Sequence, residues 1–149
     1  MKTLSSERIN IKELEPDAYK AMSGLNSYLK SSDIDPLHRE LIKIRASQIN
    51  GCAYCIQVHA TDARKLGETE NRIYALSAWR ESPLFSEAER AILALTDEVT
   101  SIAQKGVSDE TYENIIQYFD ERTVAQIIMQ IITINAWNRI AVTTHMVIK

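Results

Sequence analysis

Two cysteines lie in one Cys52-Ala53-Tyr54-Cys55 segment, with His59 four residues beyond the second and Glu40 twelve positions before the first. Helix positions three apart share a face, so Cys52 and Cys55 can approach closely enough for a reversible disulfide and a two-electron cycle. In the first turn of a helix, unpaired backbone amides and the positive helix end favour thiolate and lower a thiol pKa from its usual ~8.5. That argument alone favours Cys52 as the more exposed and more acidic thiol. His59, four residues after Cys55, falls on the same face, where an imidazole can accept or deliver the proton that thiol chemistry needs. Glu40 belongs to the preceding helix. Antiparallel packing of the two helices across an Asn50-Gly51 turn would return it to the thiols and complete a proton relay.

Other chemistry is open to the same residues. Cys52, Cys55 and His59 supply three zinc ligands and Glu40 could be a fourth, giving a zinc-stabilised interaction module. The thiols could be two inert, buried side chains, since free cysteine packs as a small hydrophobe. They could also serve a redox sensor or disulfide-exchange protein without turnover. The adjacent glycine turn and His59 favour redox chemistry. A thioredoxin-type site is excluded by context, because that motif follows a strand and no strand pattern precedes Cys52. His38 and His145 have no comparable neighbours and read as structural. Tyr54, between the thiols, either gates a pocket or packs. Arg139 lies in an apolar helix and is expected to find a carboxylate, within or between subunits.

The elements that must position these residues are helical. Only four Gly and three Pro punctuate the chain and β-branched alternation is scarce, so the fold class is all-α with about six to seven helices. The first covers residues 15–30, with Ala18, Met22, Leu25 and Leu29 on one face. The next opens at Asp35-Pro36, runs through Leu41, Ile44 and Ile49, and stops at Asn50-Gly51. A third extends from about Cys52 to Gly67, and Thr69 starts a fourth. Trp79-Arg80-Glu81-Ser82-Pro83 reads as a loop between two helical halves of one domain, residues 1–149. Ser86 and Glu89 have capping-box spacing and begin a helix that carries Ile92, Leu95, Val99 and Ile102 to Gly106. Ser108 begins a shorter helix. The last comes after Asp120 and is apolar around most of its circumference, which predicts a central core position or a subunit interface, and with it a homo-oligomer.

A length of 149 residues, 45% of them hydrophobic and 25% charged, suits one compact domain with a real core. A net charge of −3 offers no basic face for a phosphate backbone, so nucleic acid is not an expected partner. Residues 1–8 lack the apolar run of a signal peptide, and residues 124–148 are too polar to span a bilayer. The expected location is cytoplasmic, without a membrane partner. In a reducing compartment a Cys-x-x-Cys pair suits redox cycling better than stapling.

The stretch from about Glu40 to Leu76 resembles the alkyl hydroperoxidase D-like branch of the carboxymuconolactone decarboxylase superfamily. The resemblance rests on Glu40, eleven residues, Cys52-x-x-Cys55, three residues and His59, and on Asn135-Ala136-Trp137-Asn138-Arg139, which looks like that branch's C-terminal helix. It implies an all-helical fold, trimers or hexamers, and reduction of hydroperoxides by a thiol pair that an external dithiol or protein reductant regenerates, with no cofactor. It further implies that Cys55 attacks the peroxide oxygen, that Cys52 resolves the sulfenic acid as a disulfide, and that Glu40 and His59 manage the protons. Where the best-studied peroxidase form carries a second histidine between its cysteines, this chain has Tyr54. The superfamily's decarboxylases act on a lactone without the cysteine pair, so Cys52 and Cys55 argue against that reaction.

Overall fold

The computed structural model describes residues 6–148; residues 1–5, most of the stretch expected to lack a leader, and residue 149 lie outside it. The described residues form α-helices joined by short turns and one 3₁₀ helix, with no strand. Helix starts obey capping chemistry. A single turn, α1 (Ile11–Leu14), precedes α2 (Pro16–Lys30). In α3 (Pro36–Asn50), Asp35 accepts from the Leu37 amide at 2.8 Å and Pro36 takes the first position, where a missing N–H costs nothing. Gly51 ends it at φ 66°, a left-handed conformation that glycine adopts without strain. Then come α4 (Ala53–Lys65), α5 (Glu70–Ala75) and a 3₁₀ helix (Leu76–Glu81). The Ser86–Glu89 capping box opens α6 (Glu87–Thr100), which precedes α7 (Ile102–Lys105) and α8 (Asp109–Ile115). Asp120 caps the 24-residue α9 (Glu121–Thr144).

Nine α-helices among the described residues exceed the six or seven expected, for local reasons. Ser101 interrupts the helix expected to reach Gly106, and α1 is a single turn capped by Asn10. The segment expected to loop from Trp79 to Pro83 is largely the 3₁₀ helix, with Trp79 2% exposed. Its indole N–H donates to Asp97 at 3.2 Å, and the Arg80 and Arg90 guanidinium groups lie over the ring. Tertiary contact with α6 organises residues that composition alone marks as irregular.

Helix α3 lies at the centre, packed by α4, α6 and α9. Ile42 and Ala46 join Ile92, Leu95, Ile127, Ile131 and Ile134 in one cluster. Leu41 and Ile44 join Ala63, Leu76, Trp79 and Leu93 in another. Each such aliphatic side chain contributes roughly 1.5–3 kcal/mol when fully buried, so α3 is clamped from both sides. Its C-terminal end is fixed by polar groups instead. Buried Asn138 donates to Ser47 Oγ at 2.9 Å and accepts from Asn50 Nδ2 at 3.0 Å, while Asn50 also donates to Asn135 Oδ1 at 2.9 Å. Asn135 continues the chain to Thr100 at 3.0 Å. This ladder satisfies groups that would otherwise be buried unpaired, and it fixes the turn at Gly51 against α9.

Helix α9 buries much of its surface but leaves Ile132 and Val142 exposed. Arg139 also sits on the exposed side, and among the described residues of one chain it bonds Asn135 and no carboxylate: Nη1 donates to the backbone oxygen at 3.2 Å and to Oδ1 at 3.1 Å, so the within-subunit half of the expectation is not met. Hydrated by solvent, the guanidinium does not need a counter-charge. Among the described residues no helix is long and apolar enough to cross a membrane.

Candidate thiol site at the α3–α4 corner

Gly51 reverses the chain so that α4 starts immediately beside the end of α3. Cys52 is the cap residue of α4 with extended backbone, and its sulfur accepts from the Cys55 amide at 3.3 Å. The two sulfurs are bonded, with Cα atoms 5.3 Å apart, a separation that a Cys-x-x-Cys helix start provides without backbone movement. Both cysteines are buried, 2% and 3% exposed, against Ala141 of α9, with Tyr54 and Met146 flanking them. Cys52 is therefore not the more exposed thiol that the helix-terminus argument favours. The cap position gives it the amide, but it leaves Cys55 facing open space.

That space is a cavity of about 710 Å³ bounded by α2, α3, α4 and α9. Cys55, Glu40, His59 and Tyr54 line it, and Cys52 does not. Tyr19 of α2 and Trp137 of α9 meet edge to face at 5.2 Å in its wall, and Trp137 donates its N–H to Asn26 at 3.0 Å. Cavities of this size and apolar character commonly hold small organic ligands.

Glu40 and His59 meet in this cavity, Oε2 to Nδ1 at 3.2 Å, while Glu40 Oε1 accepts from Lys43 Nζ at 2.9 Å. Burial alone would raise the Glu40 carboxyl pKa, but the His59 ring and the Lys43 ammonium outweigh it and hold it below the usual value. Glu40 is thus a buried carboxylate at neutral pH. Asp62, one turn beyond His59, completes the only candidate metal-binding cluster among the described residues: Glu40, His59 and Asp62 present ligand atoms within 4.8 Å of one another. The four-ligand zinc arrangement of Cys52, Cys55, His59 and Glu40 requires two thiolates that the disulfide consumes.

The structure thus brings Cys55, His59 and Glu40 to one cavity and sets Cys52 behind Cys55. His38 is elsewhere, edge-on to Phe119 at 6.4 Å, and His145 ends α9 in a left-handed conformation at φ 57°. Lys43 and Asp62 had readable signals, each three residues from Glu40 or His59 on the same helix face. Tyr19 and Trp137 arrive from distant helices and had none.

The sequence model of the carboxymuconolactone decarboxylase family matches residues 16–98, which carry α2 through α5 and the whole thiol corner. The chain belongs to the carboxymuconolactone decarboxylase family. Within it, the fold and the disulfide-forming pair mark an AhpD-like member. The uncharacterized protein YdfG of Bacillus subtilis is 45% identical over 137 residues, 92% of this chain and 93% of that protein. A protein of unknown function from Agrobacterium tumefaciens, proposed as the antioxidant defence protein AhpD, superimposes with a TM-score of 0.91 at 42% identity, covering 93% of this chain and 95% of the other. The debrominase Bmp8 shares the fold at a TM-score of 0.80 and 23% identity, covering 92% of this chain and 74% of its own. At that identity the likeness concerns architecture alone.

Proposed function

We propose that this chain is a thiol peroxidase that reduces organic hydroperoxides and is regenerated by an external dithiol donor. The observation that carries the reading is that Cys55, one half of a disulfide, shares a cavity with the Glu40–His59 pair. In the reduced protein His59, held by the Glu40 carboxylate, takes the Cys55 thiol proton. The thiolate attacks the terminal oxygen of the hydroperoxide, the O–O bond breaks, and the alcohol leaves with the proton that His59 returns. Cys55 is now a sulfenic acid. Cys52, whose sulfur faces the Cys55 amide at the start of α4, gives up its proton and attacks that sulfur as thiolate; the S–S bond forms, the S–O bond breaks, and the hydroxyl takes up a proton and leaves as water. A dithiol then reduces the disulfide by exchange through a mixed disulfide. One hydroperoxide and one dithiol give one alcohol, one water and one oxidised donor. The acidity conferred by the helix terminus serves the resolving step, and access to the cavity serves the attacking one.

Steady-state peroxide consumption by the reduced protein with excess dithiol is the test. Sustained turnover is expected. Disulfide formation that stops after one equivalent with donor present would make the chain a sensor or disulfide-exchange protein.

A further inference from the structure

The charges around the cavity differ from those of the chain. Its lining carries four cationic side chains, Lys30, Arg39, Lys43 and Lys65, against two carboxylates, Glu40 and Asp62, in a protein of net charge −3. The carboxylates are matched locally: Glu40 with Lys43 at 2.9 Å and Asp62 with Lys65 at 3.7 Å. Lys30 and Arg39 are left in excess. Both residues belong to the junction where α2 ends and α3 begins, and Arg39 Nη1 donates there to the backbone carbonyls of Leu29 at 2.7 Å and Lys30 at 3.0 Å. Those bonds hold the guanidinium at the cavity edge without neutralising it. The apolar and aromatic lining of the same cavity includes Tyr19, Ile134 and Trp137. Apolar walls with an unmatched positive corner select a ligand that is apolar in its body and anionic at one end.

Building on the peroxidase reading, we infer that the substrate is an amphipathic organic hydroperoxide bearing a carboxylate, which Lys30 and Arg39 hold at the α2–α3 corner while the peroxide group reaches Cys55. A plain alkyl hydroperoxide satisfies the walls and leaves the corner unused. Hydrogen peroxide uses neither.

The ligand class can be tested without turnover, on the full chain in its disulfide form. The probes are para-carboxylated cumyl alcohol, the product that such a hydroperoxide would leave, and its methyl ester. Binding is followed by calorimetry and by quenching of Trp137, the chain's other tryptophan being the 2%-exposed Trp79. At low salt the acid should bind about one-and-a-half- to fivefold more tightly than the ester, the range for one solvated charge contact, and raised salt should erode the difference. Lys30→Gln should narrow the preference and Lys30→Glu should abolish or reverse it. Lys30 is exposed, so neither change threatens the fold. Equal or tighter binding of the ester, or an acid preference unchanged in Lys30→Glu, would overturn the inference. If the acid preference depends on Lys30 but the reduced protein consumes no hydroperoxide, the ligand class stands and the peroxidase reading falls.

Discussion

Glu40 and His59, on separate helices, meet at 3.2 Å across a corner made by one glycine turn. The contact joins two separated parts of the sequence motif in the cavity that Cys55 also lines, and the proposed peroxidase reaction draws on it for proton transfer. Removing either member should slow the reaction without removing the thiols. Glu40→Gln and His59→Gln are each expected to lower peroxide consumption by about 10²- to 10⁴-fold, the range for loss of positioned proton transfer. A strong thiol oxidant should still close the disulfide in both variants. Full peroxidase rate in either would remove that residue from the mechanism.

The two cysteines should fail at different steps. Serine is not a thiolate nucleophile near neutral pH, so Cys55→Ser should consume no peroxide. Cys52→Ser should consume about one equivalent and stall with a sulfenic acid at Cys55. Mass analysis after trapping separates the outcomes, and the reverse pattern would exchange the assigned roles.

The lowered Glu40 pKa links stability to pH. Its carboxyl is held below 4.5 when folded and returns to the ordinary value when unfolded, so the unfolded chain binds the proton more readily. The resulting stabilisation is complete above pH 4.5 and fades as the pH falls through the folded value. Denaturation of wild type and Glu40→Gln should therefore differ more at neutral pH than in acid. A difference independent of pH would mean that the charge of Glu40 is not what matters.

Much of this arrangement is legible in the sequence, and the exceptions have physical causes. Asp35-Pro36, Asn50-Gly51 and Ser86–Glu89 announce helix ends because capping is chemistry among neighbours. Trp79 escapes a local reading because its order comes from Asp97 and Arg90, distant in sequence. Arg139 finds no carboxylate among the described residues of its own chain because an apolar average for α9 hides an exposed side. The choice between the thiols turns on which sulfur reaches the cavity, and that depends on how α4 seats against α3 and α9.

The amide ladder behind the corner should matter for stability. Asn138→Ala removes the donor to buried Ser47 and one acceptor of Asn50, and the ~1–3 kcal/mol typical of a deserted buried polar group predicts a drop in melting temperature of roughly 2–12 °C in a chain of this size. An unchanged melting temperature would show that other groups or water replace those bonds.

The exposed apolar residues Leu14, Tyr74, Ile116, Ile132 and Val142 lead us to expect a homo-oligomer, a trimer or hexamer on the family pattern. Light scattering at micromolar concentration is the measure, and a monomer would contradict the expectation.

Gly51 gives the eleven-residue interval between Glu40 and Cys52 the character of a fixed mechanical coupling. Ten of those residues are helix and one is the reversing glycine. One residue added within α3 would advance the downstream chain by about 1.5 Å and rotate it by about 100°, carrying Glu40 off the face that meets His59. Length variation should be tolerated beyond Lys65 or before Pro36 long before it is tolerated between them, so the interval behaves as a gauge that insertions and deletions cannot pass unnoticed.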